Sequence, residues 1–281
     1  MMYAAINQWS FPAGMSIRES MERAKAQGFE GFEPAISQSG ELSLTSADRD
    51  ILNIRDMADG IGIRLASLAS GLSWGASPTS NDPAVREKAR AHLKRQLECA
   101  KLLNIDAVLW VPGTVGTGFW GGEGDVVDYE DAWNRTVENL HGMKGYAEEL
   151  GVTIGVENVW NNFLMSPLEM RVLIDEIDSP RVRVYLDVGN VVKFGFPEMW
   201  IKALGNRISR VHVKDYKRDV GTLAGFVDLL CGDTDYVAVT DALKDVGYEG
   251  PLTAEMGAAG CYPADIVYRT ARALEKILGR R

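Results

Sequence analysis

Residues 129–160 read YEDAWNRTVENLHGMKGYAEELGVTIGVENVW, and the order of events within this stretch decides the fold. From Tyr129 to Leu150 apolar side chains recur at helical spacing. Gly151 follows, and VTIGVEN (152–158) is a short β-branched run that contains one carboxylate near its end, Glu157. Glycine just past a helix adopts the left-handed backbone conformation that stops it. A helix that stops and feeds at once into a buried strand is half of a right-handed crossover, and crossovers of this kind build parallel sheets.

The same unit recurs on both sides of the quoted stretch. Upstream lie YAAIN (3–7), FEGFE (29–33), RLASLA (64–69) and AVLWVP (107–112); downstream lie VRVYLD (182–187), ISRVHVK (208–214) and LTAEM (252–256). Helical patterns cover residues 16–27, 46–59, 82–103, 167–177, 197–204, 236–246 and 263–278. Asp82-Pro83 and Ser166-Pro167 are start signals, a capping side chain before a proline at the first helical position. Gly28, Gly60 and Gly247 repeat the stop seen at Gly151. Strand–helix units in this number fill 281 residues, and a closed barrel needs ~250. The prediction is one (β/α)₈ TIM barrel domain spanning residues 1–281. No GxGxxG follows the first strand, which removes the main support for a dinucleotide fold, and no GxxxxGK[ST] phosphate loop occurs, so the barrel is favoured.

Composition narrows the function. A net charge of −9 without a basic run argues against nucleic acid as partner, because that affinity comes from clustered Lys and Arg. No apolar stretch reaches membrane-spanning length and no leader pattern opens the chain, so a cytoplasmic protein with no membrane partner is expected. Cys99, Cys231 and Cys261 are too few and too scattered for a disulfide framework. All three are read as packing residues in a reducing compartment.

Barrel enzymes carry their chemistry at the carboxyl ends of the strands. There the last four strands place Glu157, Asp187, His212 and Glu255. An unpaired carboxylate in such apolar surroundings costs several kcal/mol unless something compensates it. Taken singly, each has a plainer reading: a cap or ion-pair partner for the acids, a hydrogen-bonded core residue for the histidine. Together, at equivalent ends of consecutive strands, they point to one divalent cation. Oxygen-rich donors with one imidazole suit Mn²⁺ first, with Co²⁺ or Mg²⁺ as alternatives.

These positions, with GFEGFEP, GVENVW, YLDVGN, HVKDYKRD and YEGPLTAEM, resemble the xylose isomerase-like sugar isomerase and epimerase superfamily, most of all the ketose 3-epimerases of the tagatose and psicose type. The resemblance implies that Glu157, Asp187, His212 and Glu255 ligate the metal. It also implies that Glu157 and Glu255 act as the two catalytic bases, one removing the C3 proton and the other returning it on the opposite face through an enediolate. Arg218 matches an arginine that contacts substrate in those enzymes. Asn190 stands where they carry a substrate-contacting histidine, and Phe163 where they carry a glutamate.

Asn190, Lys214, Glu33 and Trp110 join Arg218 as candidate substrate-binding residues, and Trp9, Trp74 and Trp160 are candidate aromatic walls for a sugar. Lys193, Lys214, Lys217 and Arg218 offer cations for a phosphorylated substrate, yet no Gly-rich loop accompanies them, which favours a free sugar or polyol. An aldose–ketose isomerase, a lyase or dehydratase on a keto-sugar, and a catalytically inactive sugar-binding homologue stay open. The zinc endonucleases of the superfamily need several histidines, and this chain has only His92, His141 and His212. A homo-oligomer is expected from the resemblance alone.

Overall fold

A computed structural model describes residues 1–116, 126–257 and 265–280. Its eight-stranded sheet consists of β1 (Tyr3–Asn7), β2 (Gly31–Glu33), β3 (Arg64–Leu65), β4 (Ala107–Trp110), β5 (Thr153–Glu157), β6 (Val182–Asp187), β7 (Ile208–Val213) and β8 (Pro251–Ala254). The strands are ordered β3-β2-β1-β8-β7-β6-β5-β4, and neighbours run parallel. The two ends of that order meet through Leu68. Its N–H donates to Ala107 O and its carbonyl accepts from Leu109 N, both at 3.0 Å, so the sheet closes into a barrel. The expected third strand, 64–69, is therefore divided. Its first residues pair with β2, Leu68 pairs with β4, and Ala69–Ser70 pair with Ala35–Ile36.

Helices α1 (Ile17–Ala26), α2 (Asp48–Ile61), α3 (Pro83–Leu102), α4 (Tyr129–Leu150), α5 (Pro167–Ile177), α6 (Val188–Val192), α7 (Pro197–Leu204), α8 (Tyr236–Asp245) and α9 (Asp265–Ile277) surround the sheet. Asp82 and Ser166 cap α3 and α5 as their sequence contexts predict, Ser166 in a reciprocal capping box with Glu169. Gly60 is not a stop. It lies inside α2, which ends at Gly62 with φ 74°. The short α6 has no counterpart in the sequence reading; Asp187 caps it by accepting the Asn190 N–H.

Two kinds of interior follow from strand alternation. Outward-facing Val108, Ile154, Val156, Val184, Leu186, Val211 and Val213 pack against helix residues such as Leu93, Leu97, Leu140, Leu173 and Ile201 to form the large apolar core. The inward faces are mixed, with Leu109, Val111 and Tyr185 clustered among polar residues. A bulge sets the inward face of β7: Val184 pairs with Ile208 but Tyr185 pairs with Arg210, so Ser209 is extra and Asp187 comes level with His212. Of the cysteines, Cys99 is buried, which pushes its thiol up to about 11, whereas Cys231 is exposed and is not a packing residue. Cys261 lies outside the described residues. Among the described residues no helix is long and apolar enough to cross a membrane.

Candidate metal centre and active site

Each of the four predicted donors is delivered by the end of its strand. Glu157 closes β5, Asp187 closes β6, His212 is the penultimate residue of β7, and Glu255 follows β8 with its N–H bonded to Val213 O. One ligand atom from each lies within 4.8 Å of all the others. His212 and Asp187 are fully buried, Glu157 is nearly so, and Glu255 is partly exposed. Asn158 braces two of these ends: its amide accepts from Asp187 N at 2.8 Å and donates to Asp187 O at 2.9 Å. Asp187 divides its own carboxylate, Oδ1 capping α6 and Oδ2 facing the other donors.

The cluster holds three carboxylates and one ammonium. Lys214 Nζ lies 3.0 Å from Asp187 Oδ2 and 3.0 Å from Glu255 Oε1. It reaches this place because Gly189 has no side chain; a Cβ there would meet Lys214 Cβ at 2.4 Å. Burial pushes Glu157 up to about 8 against the pull of Lys214, with Glu255 and Asp187 adding to the rise. Burial raises Asp187 as well, again opposed by Lys214. Glu255 goes the other way: burial is outweighed by Lys214 and by His212, which hold it down at about 2. The two glutamates are thus driven apart, one towards the acid and one towards the ionised form.

The donor set fits a hard or borderline divalent cation. One lysine does not balance three carboxylates, and burial meets the shortfall by pushing Glu157 towards the protonated form, a proton that a bound cation would displace. His212 Nδ1, shielded from water, makes no properly aligned hydrogen bond even though Glu255 Oε2 is 2.8 Å away, and Asp187 Oδ2 meets the Lys214 ammonium at 3.0 Å without an aligned bond. Aligned donors left over at the centre of a carboxylate cluster are what an ion of that kind uses.

Above the cluster opens a cavity of about 1080 Å³. Glu157 and Glu255 line it, while Asp187 and His212 do not. Asn190, Lys214, Trp9, Trp74 and Trp160 also line it, as the sequence reading expected, together with Phe226, Leu72 and Val159, which that reading did not single out.

Several expected substrate contacts are elsewhere. Trp110 points into the core between sheet and helices, because Leu109 before it and Val111, just past the end of β4, take the inward positions. Glu33 is fully buried inside the barrel and bonded to Asn7, Ser67, Tyr185 and His212, so it has no face for a substrate. Arg218 donates to Val192 O and Gly195 O and stacks on Phe196, outside the cavity lining. Phe163 is buried against Tyr129.

Known proteins resemble the chain along most of its length. L-ribulose 3-epimerase of Methylomonas sp. is 25% identical over 244 residues, which are 85% of this chain and 77% of that protein. L-ribulose-5-phosphate 3-epimerase of Escherichia coli is 25% identical over 258 residues, 89% of this chain and 86% of that one. Among solved structures, D-psicose 3-epimerase in the presence of D-fructose superposes with a TM-score of 0.79 at 19% identity, covering 99% of this chain and 98% of the other. L-ribulose 3-epimerase does so with a TM-score of 0.80, covering 100% and 95%. Similarity at that identity speaks for the fold. The family profile of the xylose isomerase-like TIM barrel extends over residues 21–277, most of the sequence and every strand from β2 onward, and the chain belongs to that family.

Proposed function

We propose that this chain is a divalent-metal-dependent isomerase, a ketose 3-epimerase that works by removing and returning one proton. The observation that carries the proposal is the double role of Glu157 and Glu255. They are the members of the donor cluster that also line the cavity. The named epimerases among the relatives support the same reaction class. A divalent ion held by Glu157, Asp187, His212 and Glu255, with Mn²⁺ preferred and Co²⁺ or Mg²⁺ as alternatives, would supply a Lewis acid for the negative charge that proton removal creates.

The remaining work falls to the chain. One of Glu157 and Glu255 takes the C3 proton of a ketose lying between them, and the other delivers a proton to the opposite face. Lys214, in contact with Glu255 Oε1 and open to the cavity, holds that carboxylate and offers a donor to a substrate oxygen. Asn190 lines the same cavity, its Nδ2 held by Asn158 O. Trp9, Trp74, Trp160 and Phe226 give apolar faces for the C–H surface of a sugar and keep water from the reacting carbon.

An unphosphorylated ketose fits this lining better than a sugar phosphate. The basic side chains that line the cavity among the described residues are Lys214 and Arg269. Both are already paired, Lys214 with the carboxylate cluster and Arg269 with Asp228 at 2.7 Å. Residues 117–125 and 258–264 contain no Lys, Arg or His.

The test is to supply Mn²⁺ and a panel of free ketoses and ketose phosphates in deuterated water. Epimer formation with deuterium at C3 of a free ketose is expected. Deuterium at C1 or C2 with an aldose product would make the protein an aldose–ketose isomerase, loss of water would make it a dehydratase, and turnover of phosphates alone would reverse the substrate assignment. No exchange with any substrate would remove the proton-transfer reading.

A further inference from the structure

Glu33 is a fully buried carboxylate inside the barrel that the proposed proton transfer does not use. Its Oε1 accepts from Ser67 Oγ at 2.6 Å and from Tyr185 Oη at 2.5 Å. Its Oε2 lies 2.5 Å from Asn7 Nδ2 and 2.7 Å from His212 Nε2. The Asn7 amide cannot be turned round, because its Oδ1 accepts the Trp9 backbone N–H at 2.6 Å. Asn7 therefore presents hydrogens to Oε2, and the hydroxyls of Ser67 and Tyr185 supply Oε1. A carboxylate surrounded in this way accepts on both oxygens, which leaves Nε2 of His212 one part to play, that of a donor.

We infer that Glu33 is a positioning residue that fixes His212 as the Nε2–H tautomer and aims the Nδ1 lone pair at Glu157, Asp187 and Glu255. The inference rests on the reading of those residues as a metal centre. On the Nδ1 side, Glu255 Oε2 is 2.8 Å away, Asp187 Oδ2 3.9 Å and Glu157 Oε1 4.0 Å. With the proton on Nε2 alone, Nδ1 and Oε2 are two acceptors face to face, an arrangement that a cation bound to both would relieve, as a second proton on Nδ1 does without one. The Tyr185 ring meets the imidazole edge to face, with centroids 4.6 Å apart, and opposes rotation of the ring. Tyr185 itself fits because residue 155 is glycine; a Cβ there would lie 3.0 Å from the tyrosine Cβ. A carboxylate behind a ligating histidine raises its basicity and fixes its orientation, and loss of such a partner weakens metal binding about 10- to 100-fold.

Three measurements test the role. Calorimetric titration of Mn²⁺ into chelator-stripped protein compares wild type with Glu33→Gln. The glutamine keeps an acceptor for Asn7 and His212 and can donate to a hydroxyl, so the fold is expected to survive with a similar melting temperature while affinity falls about 10- to 100-fold. Saturating Mn²⁺ then restores most of kcat, which a collapsed site would not allow. Tyr185→Phe removes one donor and gives a smaller loss of affinity, and it decides the question if Glu33→Gln does not fold. Nitrogen-15 imidazole spectra of the Mg²⁺-loaded wild type are tractable with only three histidines and should place the His212 proton on Nε2. Unchanged Mn²⁺ affinity in a folded Glu33→Gln protein, or in Tyr185→Phe where the first variant is lost, overturns the inference, as does a proton on Nδ1. A wild type that binds neither ion overturns the metal centre itself.

Discussion

The two halves of the barrel divide the labour unequally. Strands β5 to β8 deliver the clustered donors Glu157, Asp187, His212 and Glu255. The half from β1 to β4 delivers none of them but sends Asn7, Glu33 and Ser67 into the interior, where they meet Tyr185 and His212. One half would hold the ion and move protons, and the other holds the holder. Substitutions in the first should therefore reach turnover directly. Substitutions in the second should act through metal affinity and stability.

The largest expected effect is on turnover. Glu157→Gln and Glu255→Gln should each lower kcat by about 10²- to 10⁴-fold at saturating Mn²⁺. Steady-state assays that found either variant nearly as active as wild type would take away its role as a base. Next comes Gly155→Val, which drives a branched side chain into Tyr185. A loss of about 1–3 kcal/mol of stability is expected from the overpacking, together with weaker Mn²⁺ binding, read by denaturant titration and calorimetry. Ser67→Ala should cost about 1–2 kcal/mol and several-fold in Mn²⁺ affinity, with kcat recovered at saturating metal. If it abolished kcat as fully as Glu255→Gln, the division between the halves would fail. Trp110→Phe should move the melting temperature by a few degrees and leave KM for the substrate within about twofold, since its ring packs against helices.

The difference between the halves also explains what could be read in the sequence. Glu157, Asp187, His212 and Glu255 stand out because each puts a polar group into an apolar strand, and an uncompensated group there demands a partner. The strand–helix repeat was equally readable from Gly151 and from the caps Asp82 and Ser166. Glu33 was as visible as the others, but its partners His212 and Tyr185 lie 179 and 152 positions away, and no local pattern links them. The sequence reading therefore sets it against substrate, whereas the structure bonds it to His212. Trp110 was misplaced for another reason. AVLWVP is apolar on both faces, so alternation does not reveal which residues enter the barrel. Asn158 passed unnoticed because an amide that braces two strand ends looks like any loop asparagine until the strands are adjacent. The short helix α6 was lost because Asp187 serves at once as a clustered donor and as its cap.

The extra residue at Ser209 bears on how this protein can change over time. Downstream of it, pleat parity decides that an imidazole rather than a valine looks inward. Because Ser209 is the unpaired residue, losing it would leave Tyr185 opposite Arg210 and Asp187 opposite His212, whereas losing Arg210 or Val211 would bring Val213 opposite Asp187 and hand it the inward position. The strand can give up its bulge but not a paired residue beyond it.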